Sequence, residues 1–118
     1  MKVLAGGCFN KIHPGHVYFL KKAKALGYLT VILTHDKNNK KPYAKKAGIR
    51  KKNLQKLGIA DKIIIGHATD FWKVVKKINP DIIVLGYDQE LPEQLKDRLR
   101  KTKIIRIKKF GRFSSKSS

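Results

Sequence analysis

Leu29-Thr30-Val31-Ile32-Leu33 decides the architecture. The run has strand length and is essentially apolar. It lacks the polar–apolar alternation of a strand wetted on one face, so it reads as a strand covered on both. Four further runs share this character: Val3-Leu4-Ala5, ending in Gly6-Gly7; Lys62 to Ile65, ending at Gly66; Ile82 to Leu85, ending at Gly86; and Ile104 to Ile107. Helical patterns fill the intervals. Val17, Leu20, Ala23 and Leu26 recur at helical spacing before Gly27, placed at C′. Ala47 to Leu57 is basic and helical in composition, with Gly58 as its stop signal. Phe71, Val74, Val75 and Ile78 form an inward stripe on a helix capped by Thr69 or Asp70 and broken by Asn79-Pro80. Pro92 to Leu99 reads as a fourth helix, and Asp36 to Lys46 as a lysine-rich surface loop. Buried strands alternating with helices predict a single α/β domain with a doubly wound, five-stranded parallel sheet.

Composition narrows the function classes. In 118 residues there are 28 Lys and Arg against 8 Asp and Glu, a formal net charge of +20, with 42% hydrophobic residues. The regular apolar runs exclude a disordered polyelectrolyte. No stretch approaches the roughly 20 apolar residues of a spanning helix. The single cysteine, Cys8, excludes an internal disulfide framework and a four-cysteine zinc site. No secretory segment is read, and a cytoplasmic protein is expected. So high a charge attracts polyanions, and three sources fit: nucleic acid, incidental partners of a lysine-rich surface, or a small phosphorylated substrate drawn into a positive cleft. The cations are densest from Lys37 to Lys56 and from Lys96 to Lys109, and no recognised nucleic-acid motif accompanies them.

In doubly wound sheets, ligands bind outside the carboxyl ends of the strands where strand order reverses. The loops there are residues 6–16, 34–46, 66–70 and 86–90. They hold His13, His16, His35, His67, Asp88 and Gln89, so all four histidines are expected at one end of the sheet. A structural role remains the plain alternative for His35 and His67.

Gly6-Gly7-Cys8-Phe9-Asn10-Lys11-Ile12-His13-Pro14-Gly15-His16 is the informative loop. It has neither dinucleotide-fingerprint nor P-loop spacing. Pro14 suits a first helical turn. His13 and His16 then share one side of that turn, beside free backbone N–H groups and the positive end of the helix dipole. Gly15 lets a nucleotide or phosphate approach the backbone. Residue chemistry leaves three readings open: an anion cradle, a zinc site from Cys8, His13 and His16, and two helix-capping histidines.

The loop resembles the H-x-G-H signature of the cytidylyltransferase-like nucleotidyltransferases, whose pattern is G-x-F-D-x-x-H-x-G-H. The resemblance covers nearly the whole chain. Arg50 falls where that family carries a helix arginine near the triphosphate. Ile83-Val84-Leu85-Gly86-Tyr87-Asp88-Gln89 is similar to the fourth-strand G-x-D segment that meets the nucleoside, and Arg112 to Ser118 to the terminal serine motif that closes over phosphates. The implied organisation is a Rossmann-like nucleotidyltransferase domain over residues 1–110, followed by a Ser-rich segment, 111–118, carrying a partial phosphate-binding motif. Asn10 departs from the family's Asp, and the helix that usually follows the serine motif does not follow here.

The resemblance implies attack of a phosphate monoester on the α-phosphorus of a nucleoside triphosphate, with Mg2+ arriving on the nucleotide. It implies catalytic roles for His13, His16 and Arg50. Nucleotide contacts fall to Cys8, Phe9, His13, Gly15, His16, Asp88, Ser114 and Ser115, and phosphate neutralisation to Lys40, Lys41 or Lys45. No protein metal site is expected. Gln89 after Asp88 is similar to the archaeal-type FAD synthases, which implies ATP and FMN as substrates. The alternatives are a CTP-dependent enzyme acting on glycerol-3-phosphate or a similar acceptor, and a basic nucleic-acid-binding module on an inactive fold. A homodimer also fits the family, and no membrane association is expected.

Overall fold

Alternating strand side chains divide the core into two layers with the sheet between them. Val3, Ala5, Leu29, Val31, Leu33, Ile63, Ile82 and Val84 face one side, where Leu20, Ala23 and Leu54 cover them. Leu4, Ile32, Ile83 and Leu85 face the other, against Val75 and Leu95. The computed structural model describes residues 1–7, 9, 12, 14–36, 46–66, 71–86, 95 and 102–107. Its elements are β1 (Lys2–Gly7), α1 (Pro14–Lys24), β2 (Tyr28–Leu33), α2 (Ala47–Leu57), β3 (Lys62–Ile65), α3 (Phe71–Ile78), β4 (Ile82–Leu85) and β5 (Lys103–Arg106). Leu95 apart, the expected helix over 92–99 lies outside the described residues, as do the cap at Thr69 or Asp70, the loop 37–45 and the tail 111–118.

All five strands are parallel, in the order β3-β2-β1-β4-β5. The chain winds outward from β1 in one direction through β2 and β3, then returns to place β4 on the other side of β1. The order therefore reverses between β1 and β4. Helices α1 and α2 supply Leu20, Ala23 and Leu54 to one layer, and α3 supplies Val75 to the other, as right-handed crossovers require. Burial on both faces holds for β1, β2 and β4. It fails for β5, where Lys103, Ile104 and Arg106 are exposed, and in part for β3, because these two are the edges of the sheet. Lysines at both edge strands discourage further strand pairing.

The helix ends follow their local chemistry. Pro14 opens α1, and Lys21, Lys22 and Lys24 crowd its last turn, where cations complement the helix dipole. The helix stops at Lys24, before the expected end. Gly27 serves a close approach instead of the αL cap: at φ 155°, a Cβ there would lie 2.3 Å from the Met1 carbonyl oxygen. Gly58 does end α2 in αL geometry, at φ 66°, donating its N–H to the Gln55 carbonyl. On α3, Trp72 joins Val74 and Ile78 beside the buried Val75.

A repeated device joins the strands at their amino ends. Asp61 donates its N–H to the Leu29 carbonyl (2.9 Å), and its carboxylate accepts the Leu29 N–H (2.8 Å). Asp81 makes the same exchange with Lys2, at 2.9 and 2.8 Å. Asp61 also accepts from Lys24 Nζ at 2.6 Å. Hydrogen bonding by Lys24, then by the Leu29 amide, holds the Asp61 carboxyl below its usual range.

Candidate active site

At the carboxyl ends, β1 and β2 stay paired to their tips, with Gly7 in register with Leu33 and the Thr34 N–H donating 3.0 Å to the Gly7 carbonyl. Beyond Gly7, Phe9 takes a left-handed backbone conformation, φ 51°, which is costly for a bulky residue. Burial of its ring offsets that cost, since Phe9 is only 5% exposed and belongs to the core layer of α1 and α2. The ring lies over Gly7, where a Cβ would come within 2.9 Å of it. Gly7 is thus required for close packing rather than for its own backbone angle.

The same ring meets His16 edge-on, with centroids 5.1 Å apart and planes at 62°. His16 is the third residue of α1, half-buried, next to the half-buried Gly15. The sequence therefore folds locally into a strand tip without side chains, an aromatic plug, and an imidazole leaning on that plug at a helix N-terminus. Such a helix end presents backbone N–H groups and partial positive charge to an anion. His35 also sits at this end, two residues past β2.

Arg50, in the first turn of α2, is fully buried. Its Nη2 donates to the Thr34 carbonyl at 2.7 Å and to Asp36 Oδ1 at 3.0 Å. The same Asp36 oxygen accepts the Ala47 N–H at 2.8 Å. Lys46, the N-cap residue, makes no side-chain capping bond. Asp36 therefore caps α2 from across the lysine-rich loop. The Arg50 guanidinium is the main cause holding the Asp36 carboxyl below its usual range, helped by the Ala47 amide. Arg106 at the end of β5 donates to the Gly86 carbonyl at 2.9 Å, adding a cation beside the tip of β4.

The structure thus brings Phe9, Gly15 and His16 together and ties Arg50 to the tip of β1 through Thr34. Cys8, His13, Lys40, Lys41, Lys45, His67, Asp88, Gln89, Ser114 and Ser115 lie outside the described residues. Thr34, Asp36 and Arg106 were not among the sequence candidates. Of these, only Asp36 had a legible signal, as the one carboxylate in a run of lysines ahead of a helix without its own cap.

A parallel sheet whose order reverses between β1 and β4, with the α1 N-terminus and His16 beside the carboxyl end of β1, defines a doubly wound α/β domain. The family described as Cytidylyltransferase-like matches residues 4–110, and the chain belongs to it. Among curated relatives, the FAD synthase of Aciduliprofundum boonei is 39% identical, over 94% of this chain and 80% of its own length. That of Picrophilus torridus is 38% identical over 99% of this chain and 91% of its own length. That of Ferroglobus placidus is 43% identical over 91% and 76%. A solved structure, the lipopolysaccharide core biosynthesis protein from Thermoplasma volcanium, superposes with a TM-score of 0.83 at 37% identity, covering 93% of this chain and 98% of that one. Among the described residues, no helix is long and apolar enough to cross a membrane.

Proposed function

We propose that this chain is an FMN adenylyltransferase, joining the AMP of ATP to FMN to give FAD and pyrophosphate. One observation carries the reading: relatives named FAD synthase match 90% or more of the chain. An FMN phosphate oxygen attacks the α-phosphorus, a new O–P bond forms, and the bond to the β-phosphate oxygen breaks as pyrophosphate leaves. The attacking oxygen is already anionic, so no general base is needed. The protein's task is alignment and stabilisation of charge on the phosphoryl oxygens.

In this reading His16, braced by Phe9, and His13 donate hydrogen bonds to the α-phosphoryl and bridging oxygens. Backbone N–H groups of Cys8, Phe9 and the α1 N-terminus, beside Gly15, hold the triphosphate, with Lys40, Lys41 or Lys45 neutralising it. Asp88 meets the nucleoside, and Ser114 and Ser115 close over the leaving pyrophosphate. Arg50 enters as a positioning residue, because its Nη2 is committed to Thr34 and Asp36. Its contact with pyrophosphate requires the buried guanidinium to become uncovered as nucleotide binds. The described carboxylates, Asp36, Asp61 and Asp81, are committed to backbone amides and cations and do not fit a metal cage. Magnesium belongs to the substrate, as MgATP, neutralising phosphate charge. The cytoplasm and a homodimer are the setting this reading implies.

The test is direct. Protein with MgATP and FMN should yield FAD and one equivalent of pyrophosphate, and CTP with glycerol-3-phosphate should yield none. CDP-glycerol formed in the second mixture would transfer the assignment to the CTP-dependent alternative. Absence of pyrophosphate with either pair would remove nucleotidyl transfer on these substrates.

A further inference from the structure

The amino ends of the strands, at the opposite end of the sheet from the proposed nucleotide site, carry a row of side chains that the adenylyltransferase reading does not use. Tyr28 on β2 is in register with Lys2 on β1, and Lys62 opens β3 opposite Thr30. Leu4, Ile32 and Ile64 pack into the core layer of α3. Strand alternation therefore puts Lys2, Tyr28 and Lys62 on that same face, on adjacent strands about 4.8 Å apart. All three are exposed, Tyr28 at 51%. Helix α3 ends at this edge, since Asp81, which follows it, bonds the Lys2 amide at 2.8 Å. Its last turn adds the exposed Lys76 and Lys77. The described acids here, Asp61 and Asp81, have their carboxylates turned into the strand-entry amides, Asp61 also pairing with Lys24.

Helix-end lysines alone are explained by dipoles. A half-exposed phenol on a strand flanked on both sides by strands that open with lysine is not. It combines a π face with flanking cations, which is what a surface needs to stack a base and neutralise the phosphates on either side. We propose that this edge docks single-stranded nucleic acid, with Tyr28 stacking a base and Lys2, Lys62, Lys76 and Lys77 holding the backbone. The six-residue strands β1 and β2 separate it from the carboxyl ends, where the nucleotide is proposed to sit, by about 20 Å. Both sites can therefore be filled together.

The test is fluorescence anisotropy with labelled RNA and DNA strands of roughly 12 nucleotides, at about 50 and 200 mM salt. Inorganic polyphosphate serves as a base-free competitor, and each titration is repeated with saturating MgATP and FMN. Binding should weaken steeply with salt and persist when the nucleotide substrates are present. Tyr28→Ala should weaken oligonucleotide binding about tenfold and leave polyphosphate binding unchanged, with Tyr28→Phe restoring it. Lys62→Ala should reduce the salt slope by about one. Thermal unfolding checks that each variant is folded, and Tyr28→Leu, which keeps bulk without a π face, replaces Tyr28→Ala if that variant is not. Absence of binding, indifference to loss of the Tyr28 ring, or displacement by MgATP and FMN would each overturn the proposal. None of these readings depends on FAD being formed.

Discussion

Arg50 Nη2 lies 2.7 Å from the carbonyl oxygen of Thr34, whose own N–H reaches 3.0 Å to Gly7. One backbone residue thus couples the first turn of α2 to the strand tip from which the histidine loop departs. A lysine at 50 keeps the charge but is shorter and lacks the planar guanidinium whose Nη2 reaches both Thr34 and Asp36. Arg50→Lys should raise the KM for ATP about tenfold, a loss of about 1.4 kcal/mol, with a smaller fall in kcat. Asp36→Asn should move the same parameter, and the double variant should fall short of the sum. Steady-state pyrophosphate release measures all three.

Acid should destabilise the fold through Asp36 and Asp61. Both carboxyls sit below the 3.8 they have when unperturbed, so near that value the unfolded chain binds more protons than the folded one. Their contribution is complete above about pH 4 to 5 and is lost as pH falls through the lowered native values. Melting temperatures recorded downward from neutral pH should fall on this limb. Asp61→Asn, which abolishes the ionisable partner of Lys24, should flatten it. An unchanged acid limb in that variant would contradict the assignment.

Replacing His16 separates packing from chemistry. His16→Ala removes both the edge contact with Phe9, worth about 1 kcal/mol, and the hydrogen-bond donor. It should lower the melting point by a few degrees and the rate at least ~100-fold. His16→Phe should recover the melting point and none of the rate.

Two glycines should answer oppositely to the same added methyl. Gly7→Ala drives Cβ to within 2.9 Å of the Phe9 ring and should cost about 1–3 kcal/mol while displacing the aromatic plug. Gly48 lies in α2 with open space around it, so Gly48→Ala should stabilise by about 0.5–1 kcal/mol. Denaturant titration reads both.

Strand positions were legible because burial on two faces leaves unbroken apolar runs, and α2 was legible to the residue because Gly58 closes it. The early end of α1 was not. Gly27 signals a glycine-only position, but its reason is the Met1 carbonyl brought beside it by the sheet, which no local pattern encodes. The exposure of β5 was hidden likewise, since a run such as Ile104-Ile105 does not say whether its strand is central or at an edge. In the site, Gly7, Phe9 and His16 were marked by a compact loop. The Asp36–Arg50–Thr34 contacts join residues up to 16 positions apart, and their pairing exists only once β2 and α2 have packed.

The reciprocal clasps of Asp61 on Leu29 and Asp81 on Lys2 lie on one rim of the sheet. They rivet β2 to β3 and β1 to β4, so a one-step slip at either seam must break both bonds of a clasp as well as turn the core inside out. The opposite rim has no such rivets among the described acids. The domain is built like a hand fan pinned at its narrow end, its register fixed by carboxylates at one rim while backbone bonds such as Thr34 to Gly7 and Ile107 to Leu85 close the other.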